Sequence, residues 1–185
     1  MTPTVYLILF RGIGGKTQLP TALLREKLTA AGFEKVATYI NSGNAIVRTR
    51  LTRKSVIAKI AAICRAEFDF DKAIFAPTVA EWEALIARNP FPKGVISPTT
   101  LHAALLENPP KPENIERIRA CAVKGEAVQI VNGVAYLHTP NGFGTSKMAA
   151  NFDKWIGVTN TARNWNTVIK LAELARTADA SADIG

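Results

Sequence analysis

The chain has 185 residues, 48% hydrophobic and 21% charged, which suits a soluble globular protein of one domain or two small ones. Its formal net charge is +8, and the excess sits early: 12 Lys+Arg against 5 Asp+Glu up to Pro77, then 11 against 10 from Thr78 onward. The apolar run Val5 to Phe10 is too short to cross a membrane, no signal-peptide pattern surrounds it, and Cys64 and Cys121 have neither CxxC nor metal-ligand spacing; a cytoplasmic, membrane-free protein with reduced thiols is expected.

That apolar run reads as a buried strand, and it feeds the glycine-rich stretch Arg11 to Pro20, RGIGGKTQLP. Gln18 to Ala31 follows as a helix, with Pro20 in its first turn and Leu24, Leu28 and Ala31 on one stripe. Gly32 before Phe33 fits a left-handed helix stop with its hydrophobic contact. Val36 to Ile40 and Asn44 to Arg48 read as a hairpin about Asn41-Ser42-Gly43. Arg53 to Phe68 has two adjacent apolar rows and Thr52 in place to cap it. Asp71 to Pro77 then reads as a fourth strand. The order βαββαβ over residues 1–77 suggests a split βαβ, ferredoxin-like sheet.

Residues 78–98 read as a linker: a helix over Thr78 to Arg88 with Trp82 and Leu85 inward, stopped by Asn89-Pro90-Phe91-Pro92. From there the order repeats without residue-level similarity. Leu101 to Leu106 is a strand, Pro112 to Ala120 a helix, and Glu126 to Val131 pairs with Val134 to Thr139 about Asn132-Gly133. Thr145 to Trp155 is a helix, Val158 to Ala162 a last strand, and Asn164 to Arg176 a closing helix. The expected fold is α+β, with two ferredoxin-like halves in tandem, the second over 99–176 with its closing helix. The tail 177–185 lacks a hydrophobic pattern and is expected to be disordered.

Several loops have the residue types an anion requires. Gly14 to Thr17, GGKT, invites a P-loop reading but fails on spacing, because the first glycine of that motif would fall on Phe10. A weaker site, in which Lys16 and nearby amides hold one phosphate or carboxylate, competes with a plain strand-to-helix turn. Asn41, Ser42 and Asn44 could bond a ligand, or satisfy their own turn. In Asn141 to Lys147, NGFGTSK, either Thr145 or Ser146 would cap the helix, whereas Lys147 is not needed for a cap. Arg163-Asn164-Trp165-Asn166-Thr167 has more polar groups than an Asn164 cap requires, and the alternative is a core tryptophan with backbone-bonded neighbours. His102 and His138 stand in strands without metal-ligand neighbours, and no catalytic set can be assembled. Neither a cofactor nor a metal is implied.

Taken together, RGIGGK, the YINSGN of Tyr39 to Asn44, the NPFP of Asn89 to Pro92, YLHTPNGFGTSK and TARNWNT resemble the bacterial family called "domain of unknown function 1697", from Val5 to about Ala175. The resemblance implies an α+β fold of two ferredoxin-like halves; it does not imply an activity. Members usually read RGINVGGK where this chain has RGIGGK, two residues shorter. The leading expectation is binding of an anionic or phosphorylated small molecule, a nucleotide among them, through Arg11, Lys16, Asn41, Ser42, Asn44, Ser146, Lys147, Arg163, Asn164 and Asn166, with Trp165 as a stacking face. The alternatives are nucleic-acid binding through Arg48, Arg50, Arg53 and Lys54, and an enzyme using Lys16 or Lys147 as an electrostatic stabiliser.

Overall fold

The computed structural model describes residues 2–14, 17–41 and 43–180. Among these are six α-helices and two four-stranded antiparallel sheets, a mixed α+β fold. The chain divides into two compact units: residues up to Glu83 with those from Lys170 on, and Ala84–Ile169.

In the first unit, β1 (Thr4–Phe10), β2 (Glu34–Thr38), β3 (Asn44–Thr49) and β4 (Ile74–Phe75) lie in the order β2-β3-β1-β4. The apolar run of β1 is continuous because both its faces are buried. Tyr6, Ile8 and Phe10 join a core with Leu24 and Leu28 of α1 (Thr21–Ala30) and Val56, Ile60 and Cys64 of α2 (Arg53–Phe68), while Val5, Leu7 and Leu9 on the other face are equally covered. Thr52 caps α2 by accepting the Ser55 amide. Helix α1 ends as its sequence predicts: Gly32 has φ +84, its amide donates to Thr29 O, and the Phe33 amide donates to Leu28 O. The same helix starts later than expected, at Thr21, with Pro20 outside it. Strand β2 also shifts, leaving Tyr39 and Ile40 in the turn. Asp71 to Pro77 shrinks to a two-residue strand; beyond it Ala76 and Pro77 leave the ladder, and contact with β1 resumes at the Tyr6–Thr78 bridge, where the Pro77 carbonyl accepts the Leu7 amide.

Helix α3 (Val79–Ala87) and two short 3-10 turns, Pro92–Ile96 and Pro98–Thr100, lead to the second sheet. There β5 (Leu101–Leu106), β6 (Ala127–Val131), β7 (Val134–His138) and β8 (Asn160–Asn164) lie in the order β6-β7-β5-β8. Ala104, Ala135 and Leu137 form one core with Ile118 of α4 (Pro112–Arg119) and Met148 and Phe152 of α5 (Lys147–Trp155). On the opposite face Tyr136 is buried and its hydroxyl donates to Leu85 O at 2.6 Å; burial raises that phenol to about 12. Strand β8 starts two residues later than expected because Gly157, at φ +74, continues the turn. Helix α6 (Trp165–Ala180) takes in Thr177 to Ala180, correcting part of the disordered-tail expectation; 181–185 lie outside the described residues. Among the described residues no helix is long and apolar enough to cross a membrane.

Candidate functional site

The first set of polar loops gathers at the end of β1. The Phe10 amide donates to Gly43 O at 3.0 Å, and a Cβ on Gly43 would stand 2.4 Å from Ile13 Cγ1. The β2–β3 hairpin and the glycine-rich loop therefore touch through a position that only glycine fills. A third segment joins them from the α2–β4 loop, where the Arg11 amide donates to Ala73 O and the Lys72 ammonium donates to Gly12 O at 3.0 Å and Thr17 Oγ1 at 3.2 Å. Gly12 has φ +67, and a Cβ there would come within 3.2 Å of Lys72 Nζ, so a bare backbone lets the cation approach. Lys72 bonds no carboxylate among the described residues; neighbouring Asp71 pairs with Arg65 instead.

Within this cluster the expected residues fare differently. Arg11 is partly buried at the loop's start and Asn41 is exposed at the hairpin tip. Asn44 is buried, and its amide nitrogen donates to Tyr39 O, so it serves the turn. Lys16 and Ser42 lie outside the described residues. The amides of Gly14 and Thr17 donate to each other's carbonyls, and α1 begins only at Thr21. Lys72 was missed because sixty residues separate it from Gly12 in the chain; its sole local signal was a glycine where the backbone is approached closely.

The second set belongs to the second unit. Ser146 caps α5, accepting the Ala149 amide at 3.1 Å, while Thr145 donates to Asn141 O and Gly142 O. Lys147 is exposed at the first helical position, and its ammonium has no partner among the described residues. Asn164 caps α6 by accepting the Thr167 amide at 3.0 Å. It also faces His102 across the β5–β8 ladder, and the Phe143 ring stacks on His102 with centroids 3.7 Å apart. Thus His102 connects the starts of α5 and α6. Burial lowers its imidazole to about 4, and its Nδ1 is buried without a hydrogen-bond partner.

Two members of the set are placed otherwise. Arg163 pairs across from Ala103, so alternation puts it on the sheet face opposite Asn164. Its guanidinium donates to Thr161 Oγ1 and Ala162 O, and burial lowers it to about 10. Trp165 is only 2% exposed, which corrects the expected stacking face. Asn166 is exposed on the first turn of α6. The basic residues offered for nucleic acid are partly neutralised: Arg48 pairs with Glu34 and Arg53 with Glu81. Cys64 is buried and its thiol is raised to about 12, an inert group. Among the described residues no cluster of His, Cys, Asp and Glu could hold a metal ion.

In a comparison with solved structures, the chain is similar to the conserved bacterial protein SP0830 from Streptococcus pneumoniae, with a TM-score of 0.70 and 22% identity over 94% of this chain and 99% of that one. At that identity the likeness concerns the fold alone. No match to a curated protein was found. The family model described as "Protein of unknown function (DUF1697)" matches residues 3–136. That match covers most of the chain, including the first sheet and the whole glycine-rich loop, and the protein therefore belongs to the DUF1697 family.

Proposed function

We propose that the protein binds a small anionic ligand, with phosphorylated molecules first among them, at the loop cluster that ends β1. The observation that carries this reading is the Lys72 ammonium: two of its hydrogen bonds go to neutral oxygens, and among the described residues no carboxylate pairs with it. Glycine at position 12 makes room for that cation, and Asn41 stands exposed on the adjoining hairpin. A ligand phosphate would take the third ammonium proton and form the charge-assisted bond that no described residue supplies. Arg11, Lys16 and Ser42 belong to the same loops in sequence and are its further candidate contacts. In fold terms each unit is taken as a ferredoxin-like half, since β2-β3-β1-β4 and β6-β7-β5-β8 have the strand order of a split βαβ sheet.

A thermal-shift screen with orthophosphate, nucleotides, phosphosugars and coenzyme A tests the reading. A ligand at about a hundred times its dissociation constant stabilises by roughly 2.7 kcal/mol. The expected result is a shift that Lys72→Met removes. A silent panel, or a shift that Lys72→Met leaves intact, would falsify it. Stabilisation by oligonucleotides alone, fading steeply with salt, would replace it with electrostatic nucleic-acid binding.

A further inference from the structure

Two four-stranded sheets have four edge strands, and three of them are blunted. Strand β2 shifts register between Glu34 and Ala37, with Lys35 at φ +49 inside the irregularity, and Thr38 at its end is held by Arg25. Strand β4 has only two residues. Strand β8 is polar, turns the buried guanidinium of Arg163 inward, and runs straight into α6. Strand β6 has none of these devices. Its five residues, AVQIV, include no charge, proline or glycine, and its register with β7 is unbroken.

The ladders also show which backbone groups of β6 face away from the sheet. The Leu106 amide donates to Gly133 O, so Gly133 faces β5, and by alternation Val134, Tyr136 and His138 face β6. Their partners Val131, Gln129 and Ala127 are thereby bonded to β7, which leaves the amides and carbonyls of Val128 and Ile130 on the open edge. Arg119 Nε reaches Val128 O at 3.4 Å, a long bond; the other three groups meet no protein partner among the described residues. A groove of about 380 Å³ follows this edge, with Arg119, Ala122 and Glu126 on its far side.

We propose that β6 is a dimerisation strand, on which a second copy of the chain lays its own β6 antiparallel about a two-fold axis at Gln129. In that register Val128 of each copy stands opposite Ile130 of the other. Their amides and carbonyls then exchange four hydrogen bonds, which satisfies the whole open edge and joins two four-stranded sheets into one of eight. The edge is complementary to itself in chemistry as well as in register. Gln129 is exposed and meets Gln129 of the second copy, and a primary amide both donates and accepts, so it can bond its own kind. Each chain has a net charge of +8, yet the two meet over an uncharged strand, and the Arg119 beside it is balanced by Glu116 at 2.7 Å. Arg119 keeps that ion pair when the incoming Ile130 amide replaces it at Val128 O. This surface does not depend on the Lys72 cluster.

The test is sedimentation equilibrium of the full chain from micromolar to near-millimolar concentration, with two variants at the exposed axis position. The wild type should pass from monomer to dimer, and hydrogen exchange at the Val128 and Ile130 amides should slow as it does. Gln129→Lys and Gln129→Glu each set like charges opposite one another, and each should weaken self-association by about fivefold. An equimolar mixture of the two sets opposite charges across the axis and should form the mixed dimer in preference to either homodimer, which native mass spectrometry resolves. A wild type that stays monomeric throughout overturns the proposal and leaves the edge to an extended peptide of another protein. A dimer that both charges leave intact, or a mixture that does not recover association, places the interface elsewhere and overturns it as well.

Discussion

The two units share an element order and a sheet order, yet they place their long polar loops at opposite ends of the equivalent strands. In the first, the long connection is 11–20, after β1, and only 50–52 joins β3 to α2. In the second, 107–111 suffices after β5, and the long connection is 139–146, between β7 and α5. Because β1 and β3 run antiparallel, as do β5 and β7, these loops fall at the C-terminal end of β1 but the N-terminal end of β5. A repeated topology has therefore not repeated a site. What the sheet preserves is its strand order; where the long loops stand differs between the units.

The hairpin glycines give the sharpest contrast. Gly43 and Gly133 both have positive φ, +72 and +78, but a Cβ on Gly43 would collide with Ile13 and Phe10, whereas one on Gly133 meets nothing within 4 Å. Gly133→Ala should cost about 1 kcal/mol, the backbone strain alone. Gly43→Ala adds overpacking against the glycine-rich loop and should cost about 2–4 kcal/mol. Chemical denaturation of the two variants measures the difference. Equal costs would mean that the loop yields freely and that the first cluster is not held together by this contact.

A second contrast is chemical, since the first unit contains no histidine and the second has His102 in β5. Burial lowers the His102 imidazole to about 4 from the ordinary 6.5. The unfolded chain therefore binds a proton that the folded protein refuses between these values, and stability rises with pH across that window and is complete above it. Given the ring's partial exposure, the change is about 1–3 kcal/mol. His102→Gln should flatten the stability–pH curve between pH 4 and 6.5; an unchanged slope would place the effect elsewhere.

The sequence made parts of this legible and hid others for physical reasons. Helix α2 and strand β5 were readable to the residue, since Thr52 marks one start, helical spacing of apolar residues marks the body of α2, and a short, mostly apolar run marks β5. The polar strand β8 was not, because NTARN has no apolar alternation and owes its pairing to β5. The same shift explains the crowded motif at its end. Period two turns Arg163 and Asn164 to opposite faces, Asn164 caps the helix, and Trp165 is buried, so the surplus of polar groups disperses rather than forming one patch. Lys72 and His102 acquire their meaning only through contacts distant in sequence, which no local pattern announces.

The start of α3 is the next test of the comparison, because Thr78 and Glu81 form a capping box there while Asn164 caps α6 alone. Glu81→Thr removes the box and the Arg53 partner, at a cost of about 1–2 kcal/mol. Partial desolvation acts to raise the Glu81 carboxyl, but bonds from Arg53 and Thr78 outweigh it and hold the group below its ordinary 4.5. A depressed carboxylate contributes above its unfolded value and loses that contribution as pH falls through the folded one. The gap between wild type and Glu81→Thr should therefore be full at neutral pH and narrow in acid. A gap independent of pH would assign the loss to helix propensity rather than to the carboxylate.

The smallest effect separates two cations, Arg53 at the start of α2 and Lys147 at the start of α5. Arg53 and Glu81 are each about half exposed, with side chains 47% and 50% accessible, so their ion pair is worth about 0–1 kcal/mol, and Arg53→Met should lower stability by no more than that. Among the described residues Lys147 has no carboxylate partner to lose, and it sits at the positive end of the α5 dipole, where a cation is mildly unfavourable. Lys147→Met should therefore leave stability unchanged or raise it by about 0.3–1 kcal/mol at low ionic strength, with added salt erasing the gain. Opposite signs for the two substitutions in salt-free buffer would show that the first cation is balanced from within and the second is not. If Lys147→Met instead destabilises, a protein group already compensates that charge and the contrast with Arg53 fails.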